Sequence, residues 1–194
     1  MSALSARIRP GETGLGIIFY EPAPMAGNEA RRERAVEDSG ALAIRDDPAL
    51  EAVLNGLCRS FGVSMAAVSI LHSDWQYLIA TAGVPSGPCS RRTSFCGHAI
   101  QRPDEVLCVP DARDDPRFAG NPLVVEDGGI RFYAGAPLIG SAHLPLGAVC
   151  VFDTVPRPPV DQDGTERLKR AAADVAALIE SHGADRFARR AATG

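Results

Sequence analysis

The chain has 194 residues, 45% hydrophobic and 23% charged, a composition that one domain with short tails can bury into a single core. A net charge of -4 argues against the basic face that nucleic acid or an anionic membrane would need. No apolar run approaches the ~18 residues of a membrane-spanning helix, and no signal-peptide block follows Arg7 and Arg9, so a cytoplasmic protein with its five cysteines reduced is expected.

Residues 1–27 carry Gly, Pro and the apolar patch GLGIIFY, without a period. They read as a partly disordered N-terminal arm, ordered by docking if at all, with GLGIIFY as a candidate edge strand. The domain proper is expected over 28–182. It begins with a highly charged helix over 28–43 whose apolar stripe is thin, the mark of a solvated helix or of half a helical dimer interface. The next helix is clearer. Asp47 suits the N-cap and Pro48 the first helical position; Leu50, Val53, Leu54, Leu57, Cys58 and Phe61 then fall on one face before Gly62 stops it.

MAAVSIL (65–71) and WQYLIAT (75–81) read as a hairpin around His72-Ser73-Asp74. Residues 82–93 form a Gly/Pro loop. A short helix over about 95–101, capped by Thr93 or Ser94, leads to a short strand over 105–109. A loop from Pro110 to about Gly129 follows, too long to be a mere connection. Its apolar anchors Phe118, Leu123, Val124 and Val125 mark it as a folded cap over a pocket. A second hairpin spans 131–139 and 146–152. The last helix, over 161–181, buries Leu168, Ala172, Val175 and Ile179 and is expected to stop at Gly183, leaving a mobile tail over 183–194. Five to six mostly antiparallel strands, helices at both ends on one face and a cap on the other make an α+β architecture.

The chemistry concentrates in and around the cap. Cys96, in the first turn of a helix and preceded by Arg91 and Arg92, is either an acidified thiol or an inert buried one. His98 cannot act as its base: two residues on a helix are about 200° apart. Asp111, Asp114, Asp115 and Arg117 satisfy turn chemistry, with Arg117 paired to an aspartate. The alternative turns Arg117 or Arg131 into the pocket as a fork for a carboxylate or phosphate. Phe118, Trp75 and Tyr133 then wall that site or simply fill the core. Cys150 reads as core, and the cysteine spacing lacks a zinc signature.

Together VSILHSDWQYLIATAG, SFCGHAI, VPDARDDPRFAGNPLV, GIRFYAGAPL and LGAVCVFD with Pro156-Arg157 resemble a GAF domain, the small-molecule sensory module, over about 33–180. The subtype is the one found ahead of cyclases and histidine kinases, here standing alone. The resemblance implies a central antiparallel sheet with the terminal helices on one face and a ligand pocket on the other. It implies a non-catalytic sensor that binds an unidentified small molecule, forms a homodimer through its terminal helices and acts on a separate signalling protein. No cofactor, membrane or nucleic acid is expected. The candidate ligand-binding residues are Trp75, Phe95, Cys96, Asp111, Asp115, Arg117, Phe118, Arg131 and Tyr133. Two alternatives remain. One is a thiol-dependent free methionine-(R)-sulfoxide reductase using Cys89, Cys96 and Cys108, although the loop from Asp111 to Gly129 lacks the cysteine that such enzymes place there. The other is a structural dimerisation module without ligand. Bilin attachment is disfavoured, because Cys96-Gly97-His98 separates the cysteine and histidine that photoreceptor domains keep adjacent.

Overall fold

The structure is a computed structural model that describes residues 19–192, with side chains described as far as residue 184. The charged first helix, α1, covers Glu29–Ser39 and ends earlier than predicted because Gly40 turns left-handed at φ 71°. A single 3-10 turn, Ala41–Ala43, follows it. Helix α2, Pro48–Phe61, starts and stops where its signals lie. The Asp47 carboxylate accepts from the N–H groups of Ala49 at 2.8 Å and Leu50 at 3.0 Å, and Gly62 closes the helix at φ 61°.

Six strands make one antiparallel sheet, in spatial order β3-β2-β1-β6-β5-β4: β1 Met65–His72, β2 Trp75–Ala82, β3 Gly87–Ser90, β4 Leu107–Val109, β5 Phe132–Ile139 and β6 Pro145–Asp153. Both predicted hairpins are present, with His72 opposite Trp75 and Ile139 opposite Pro145. The predicted Gly/Pro loop hides β3, which pairs with β2 from Trp75–Ser90 to Leu78–Gly87. Pro88 is tolerated because β3 is an edge. The cap contains a further short helix, α4, Pro122–Val125, whose Asn121 side chain accepts from Leu123 N–H at 3.0 Å and donates to Thr93 O at 3.0 Å.

The final helix, α5, runs Gln162–Ala192 and passes straight through the predicted stop at Gly183. That glycine has a contact role instead of a capping one. A Cβ there would stand 2.9 Å from the carbonyl oxygen of Ser39, so glycine lets α5 approach the end of α1. The segment predicted as a mobile tail is therefore helical through residue 192.

Two cores lie on opposite sides of the sheet. Leu50, Leu54 and Leu57 of α2, Val36 of α1, and Leu168, Val175 and Ile179 of α5 pack on one face, against Ala66, Val68, Ile70, Val149 and Val151. The other face carries a smaller core of Ala67, Leu71, Tyr133, Ala148, Cys150 and Phe152 beneath helix α3, Phe95–Ala99, and the cap. Residues 19–26 of the arm lie along this side. Phe19 O accepts from Gly120 N–H at 3.1 Å, Glu21 N–H donates to Arg117 O at 2.9 Å and Ala23 N–H to Arg92 O at 3.0 Å. The object on which this part of the arm docks is thus the chain's own cap. Of the candidate strand GLGIIFY, residues 14–18 lie outside the described residues.

Candidate functional site

Between the cap and the sheet lies a cavity of about 340 Å³. Its floor comes from inward-facing positions of four strands: Ala67 of β1, Gln76 and Leu78 of β2, Tyr133 of β5, and Cys150 with Phe152 of β6. Ser94, Phe95 and Cys96 make a wall at the start of α3. Leu123 and Glu126 to Ile130, the far end of the cap, form the mouth, with Glu126 and Asp127 exposed there.

The site is held rigidly from behind. Ser94 caps α3 by accepting from Gly97 N–H at 2.9 Å. Phe95 stacks on Phe118 at 4.1 Å between centroids and on Tyr133 at 5.0 Å. Phe118 is fully buried behind this wall, where the His98 ring meets it edge-on at 4.8 Å. His98 makes its polar contact with Glu21 O at 3.0 Å, and burial lowers its pKa.

Cys96, 2% exposed, is the polar centre of the cavity, where the wall meets the floor. Its sulfur lies 3.8 Å from Cys150 Sγ and accepts from Tyr133 Oη–H at 3.2 Å and from Gln76 Nε2–H at 3.8 Å. The thiol of Cys150 acidifies Cys96 most, against the opposing effect of burial, with Ser69 and Tyr133 assisting. Cys150 pays the reverse shift, its pKa raised by the same contact and by burial, and burial also raises Tyr133. Of the predicted causes, the contribution of Arg91 does not operate. Arg91 does not reach the thiol: it binds Glu29 and Ser73 O.

The candidate residues therefore divide. Phe95, Cys96 and Tyr133 line the cavity, and Phe118 supports it from one layer behind. Trp75 does not reach it; it opens β2 with 48% of its surface exposed. Asp111, Asp115, Arg117 and Arg131 also lie outside the lining. Arg131 holds Asp111 in a bidentate pair, donating from Nε and Nη2, and that bond depresses the carboxyl pKa. Arg117 pairs with Asp115 at 2.6 Å and covers the Phe118 ring; burial resists ionisation of Asp115, but the Arg117 bonds prevail and lower its pKa. For Asp111, Asp115 and Arg117 the geometry follows the turn-chemistry reading, Asp111 accepting from Arg113 N–H and Asp115 from Arg117 N–H, and the anion fork of Arg117 or Arg131 is not formed in the cavity. Cys108 lies on the helix-covered side, half-buried, accepting from Val160 N–H at 3.4 Å, so it is separated from Cys89 and Cys96 at the cavity.

Cys150 is buried in the core as its sequence position predicts; what the sequence does not show is that its sulfur abuts Cys96. Gln76 is the residue that the sequence reading lacks. It is 8% exposed, lines the cavity, and leaves Oε1 without a hydrogen-bond partner among the described residues. Its signal was available: a polar residue two positions from Leu78, on the same inward face of a strand.

A second polar cluster connects this wall to α1. Arg91 lies in the 3-10 turn Arg91–Thr93 just before α3, and its Nη1 donates to Glu29 Oε1 at 2.5 Å; Arg32 Nε donates to the same carboxylate at 2.9 Å. Arg32 and Arg91 are both buried. Burial opposes the ionisation of Glu29, but the bonds from Arg32 and Arg91 outweigh it and bring the carboxyl down to about 2.

Comparison with known proteins agrees with this geometry. The family model described as GAF domain matches residues 47–179. A cyclic di-GMP phosphodiesterase of Pseudomonas aeruginosa is 37% identical over 158 residues, which are 81% of this chain and 27% of that protein. The chain thus spans about a quarter of that relative's length. Among solved structures, the GAF domain of an Acinetobacter phosphoenolpyruvate-protein phosphotransferase superposes with a TM-score of 0.60 at 17% identity, covering 82% of this chain and 97% of that one. A type II free methionine-R-sulfoxide reductase of Thermoplasma acidophilum gives 0.54 at 12% identity, covering 76% and 96%. At such identities these two likenesses concern the fold alone.

Proposed function

The chain belongs to the GAF domain family, whose members are sensory and regulatory modules, and from that premise we propose that it binds a small molecule in the capped cavity and relays its presence without catalysing a reaction. The observation that carries this reading is the cavity itself: about 340 Å³, walled by a braced aromatic stack, and floored by a buried glutamine whose acceptor has no partner among the described residues. Relay runs through α1 and α5, which lie on the opposite face of the sheet and form a homodimer interface in this proposal. The Arg91–Glu29–Arg32 cluster couples the wall of the cavity to α1. The relative's name supports a place in signalling. Among the described residues no helix is long and apolar enough to cross a membrane, which supports a cytoplasmic setting.

Native mass spectrometry of the chain purified from its own host tests the reading, because a retained ligand appears as excess mass and the dimer appears in the same spectrum. A thermal-shift screen complements it: a ligand at 100 times its Kd stabilises by about 2.7 kcal/mol. No retained mass, and no shift with any class of small molecule, would leave the structural dimerisation module as the better account. The thiol-reductase alternative retains Cys89 and Cys96 at the cavity but loses Cys108 to the other face. Turnover of free methionine sulfoxide in an NADPH–thioredoxin-coupled assay would restore it.

A further inference from the structure

The electrostatics of the cavity specify a ligand class. Among the described residues its lining holds two carboxylates, Glu126 and Asp127, and no lysine, arginine or histidine. The two arginines nearest in sequence to its mouth are committed elsewhere, Arg117 to Asp115 and Arg131 to Asp111. An anion entering an apolar site loses its hydration, and only a cation or several converging donors would restore that loss. Few donors are free inside. Tyr133 Oη–H is spent on Cys96, and Gln76 Nε2 turns to the same sulfur. What the floor offers instead is an acceptor: Gln76 Oε1, on a side chain more than nine-tenths buried and without a partner among the described residues. A buried unpaired carbonyl oxygen favours a ligand that brings an N–H or O–H.

Resting on the reading that this cavity takes a ligand, we propose that it selects uncharged or cationic, largely apolar molecules that donate a hydrogen bond to Gln76, and that it turns away nucleotides, phosphates and carboxylates. The acidic mouth raises the local concentration of cations and lowers that of anions, while the apolar walls hold the body of the molecule.

The Cys96 thiol in the wall provides a direct test in the intact chain. Methanethiosulfonates of one reactive group and three charges are used: a trimethylammonium-ethyl reagent, the methyl reagent and a sulfonato-ethyl reagent. In each case the Cys96 thiolate attacks the sulfenyl sulfur, a mixed disulfide forms, methanesulfinate leaves and the thiol proton passes to solvent. Labelling of Cys96 is followed by peptide mass spectrometry, and each rate is divided by that of a free thiol. The cationic reagent should label Cys96 at least about tenfold faster than the anionic one at low salt. The ratio should fall as salt is added and collapse in the double variant Glu126→Gln, Asp127→Asn, both exposed positions. An anionic reagent that labels as fast as the cationic one overturns the proposal. Labelling by none of the three until the chain is denatured would show a closed cavity, and it is then the ligand-binding reading that fails. The donor requirement is read by calorimetry with two rings of similar shape, indole, which has an N–H, and benzothiophene, which has none. Indole should bind about tenfold more tightly, in line with one buried hydrogen bond. Equal affinity, or none for either, removes the donor from the proposal.

Discussion

The two faces of the sheet are built from the same strands to opposite ends. On the helix-covered face, Val36, Leu50, Leu54, Val68, Ile70, Val149, Val151, Leu168, Val175 and Ile179 interlock with no charged side chain among them. On the capped face, the sheet presents Ala67, Gln76, Cys150 and Tyr133, smaller or polar groups that leave a cavity of about 340 Å³. One side spends its burial on stability, while the other keeps space and unpaired polarity that a protein selected for stability alone would have removed. Adjacent residues make the contrast at atomic scale: Ala66 belongs to the first core and Ala67, its neighbour on β1, to the second.

The largest expected effect lies on the filled face. Leu54→Ala empties a fully buried position and should cost about 2–5 kcal/mol by chemical denaturation, since close-packed surroundings relax only in part. A loss under about 1 kcal/mol would mean that this face is as loosely packed as the other, and the contrast would dissolve.

Next in size is the cluster that joins the faces. Glu29→Ala strips the counter-charge from buried Arg32 and Arg91 and should cost about 3 kcal/mol, because unpaired buried charge is the expensive outcome. The pH dependence has a definite sign. The Glu29 carboxyl is depressed from 4.5 to about 2 in the fold, so its stabilisation is present above pH ~4.5 and is lost as pH falls towards ~2. The natural chain should therefore lose stability over that window more steeply than Glu29→Gln. Parallel acid titrations of the two, followed by circular dichroism, would show it, and coincident curves would remove the coupling role.

Much of the filled face was legible in the sequence, because its signals are local and repeated. Asp47-Pro48, the stripe through Leu50, Leu54 and Leu57, and Gly62 each state a helix boundary or face on their own. Gly183 misled because a glycine that stops a helix and one that lets two helices touch look alike in sequence; the distance to Ser39 distinguishes them, and that is a tertiary fact. The cap was legible as a structured loop beside a pocket, and turn chemistry already paired Arg117 with an aspartate, but the choice between that pairing and a ligand fork was not legible. Arg117 and Arg131 carry the same formal charge whether they face a ligand or hold Asp115 and Asp111, and only the fold assigns their partners. The pairing of Cys96 with Cys150 spans 54 positions and follows from strand order, which no spacing rule encodes.

A matched pair of insertions sharpens the comparison at smaller amplitude. Ala66→Leu drives added methylenes into the filled core and should cost about 1–3 kcal/mol, whereas Ala67→Leu grows into the cavity and should change stability by less than about 1 kcal/mol. The second variant should nevertheless lose any mass retained in native spectra. Equal costs at the two positions would mean that the space below the cap closes in solution.

The smallest effect is the most pointed, because its sign is unusual. Gln76→Leu removes a buried carbonyl oxygen that lacks a partner among the described residues, along with a long 3.8 Å contact to Cys96. Leucine is close in size and suits the apolar wall beside Leu78. An unsatisfied polar atom is a standing cost, and replacing it by a hydrocarbon of similar shape is neutral or favourable. The variant should then unfold at slightly higher denaturant, by about 0.5–1 kcal/mol, while its affinity for a hydrogen-bond-donating ligand falls. A substitution that stabilises the empty protein and weakens the occupied one is what a position kept for binding predicts. A position kept for the fold predicts the reverse, and a clear loss of stability in Gln76→Leu would assign this glutamine to the scaffold.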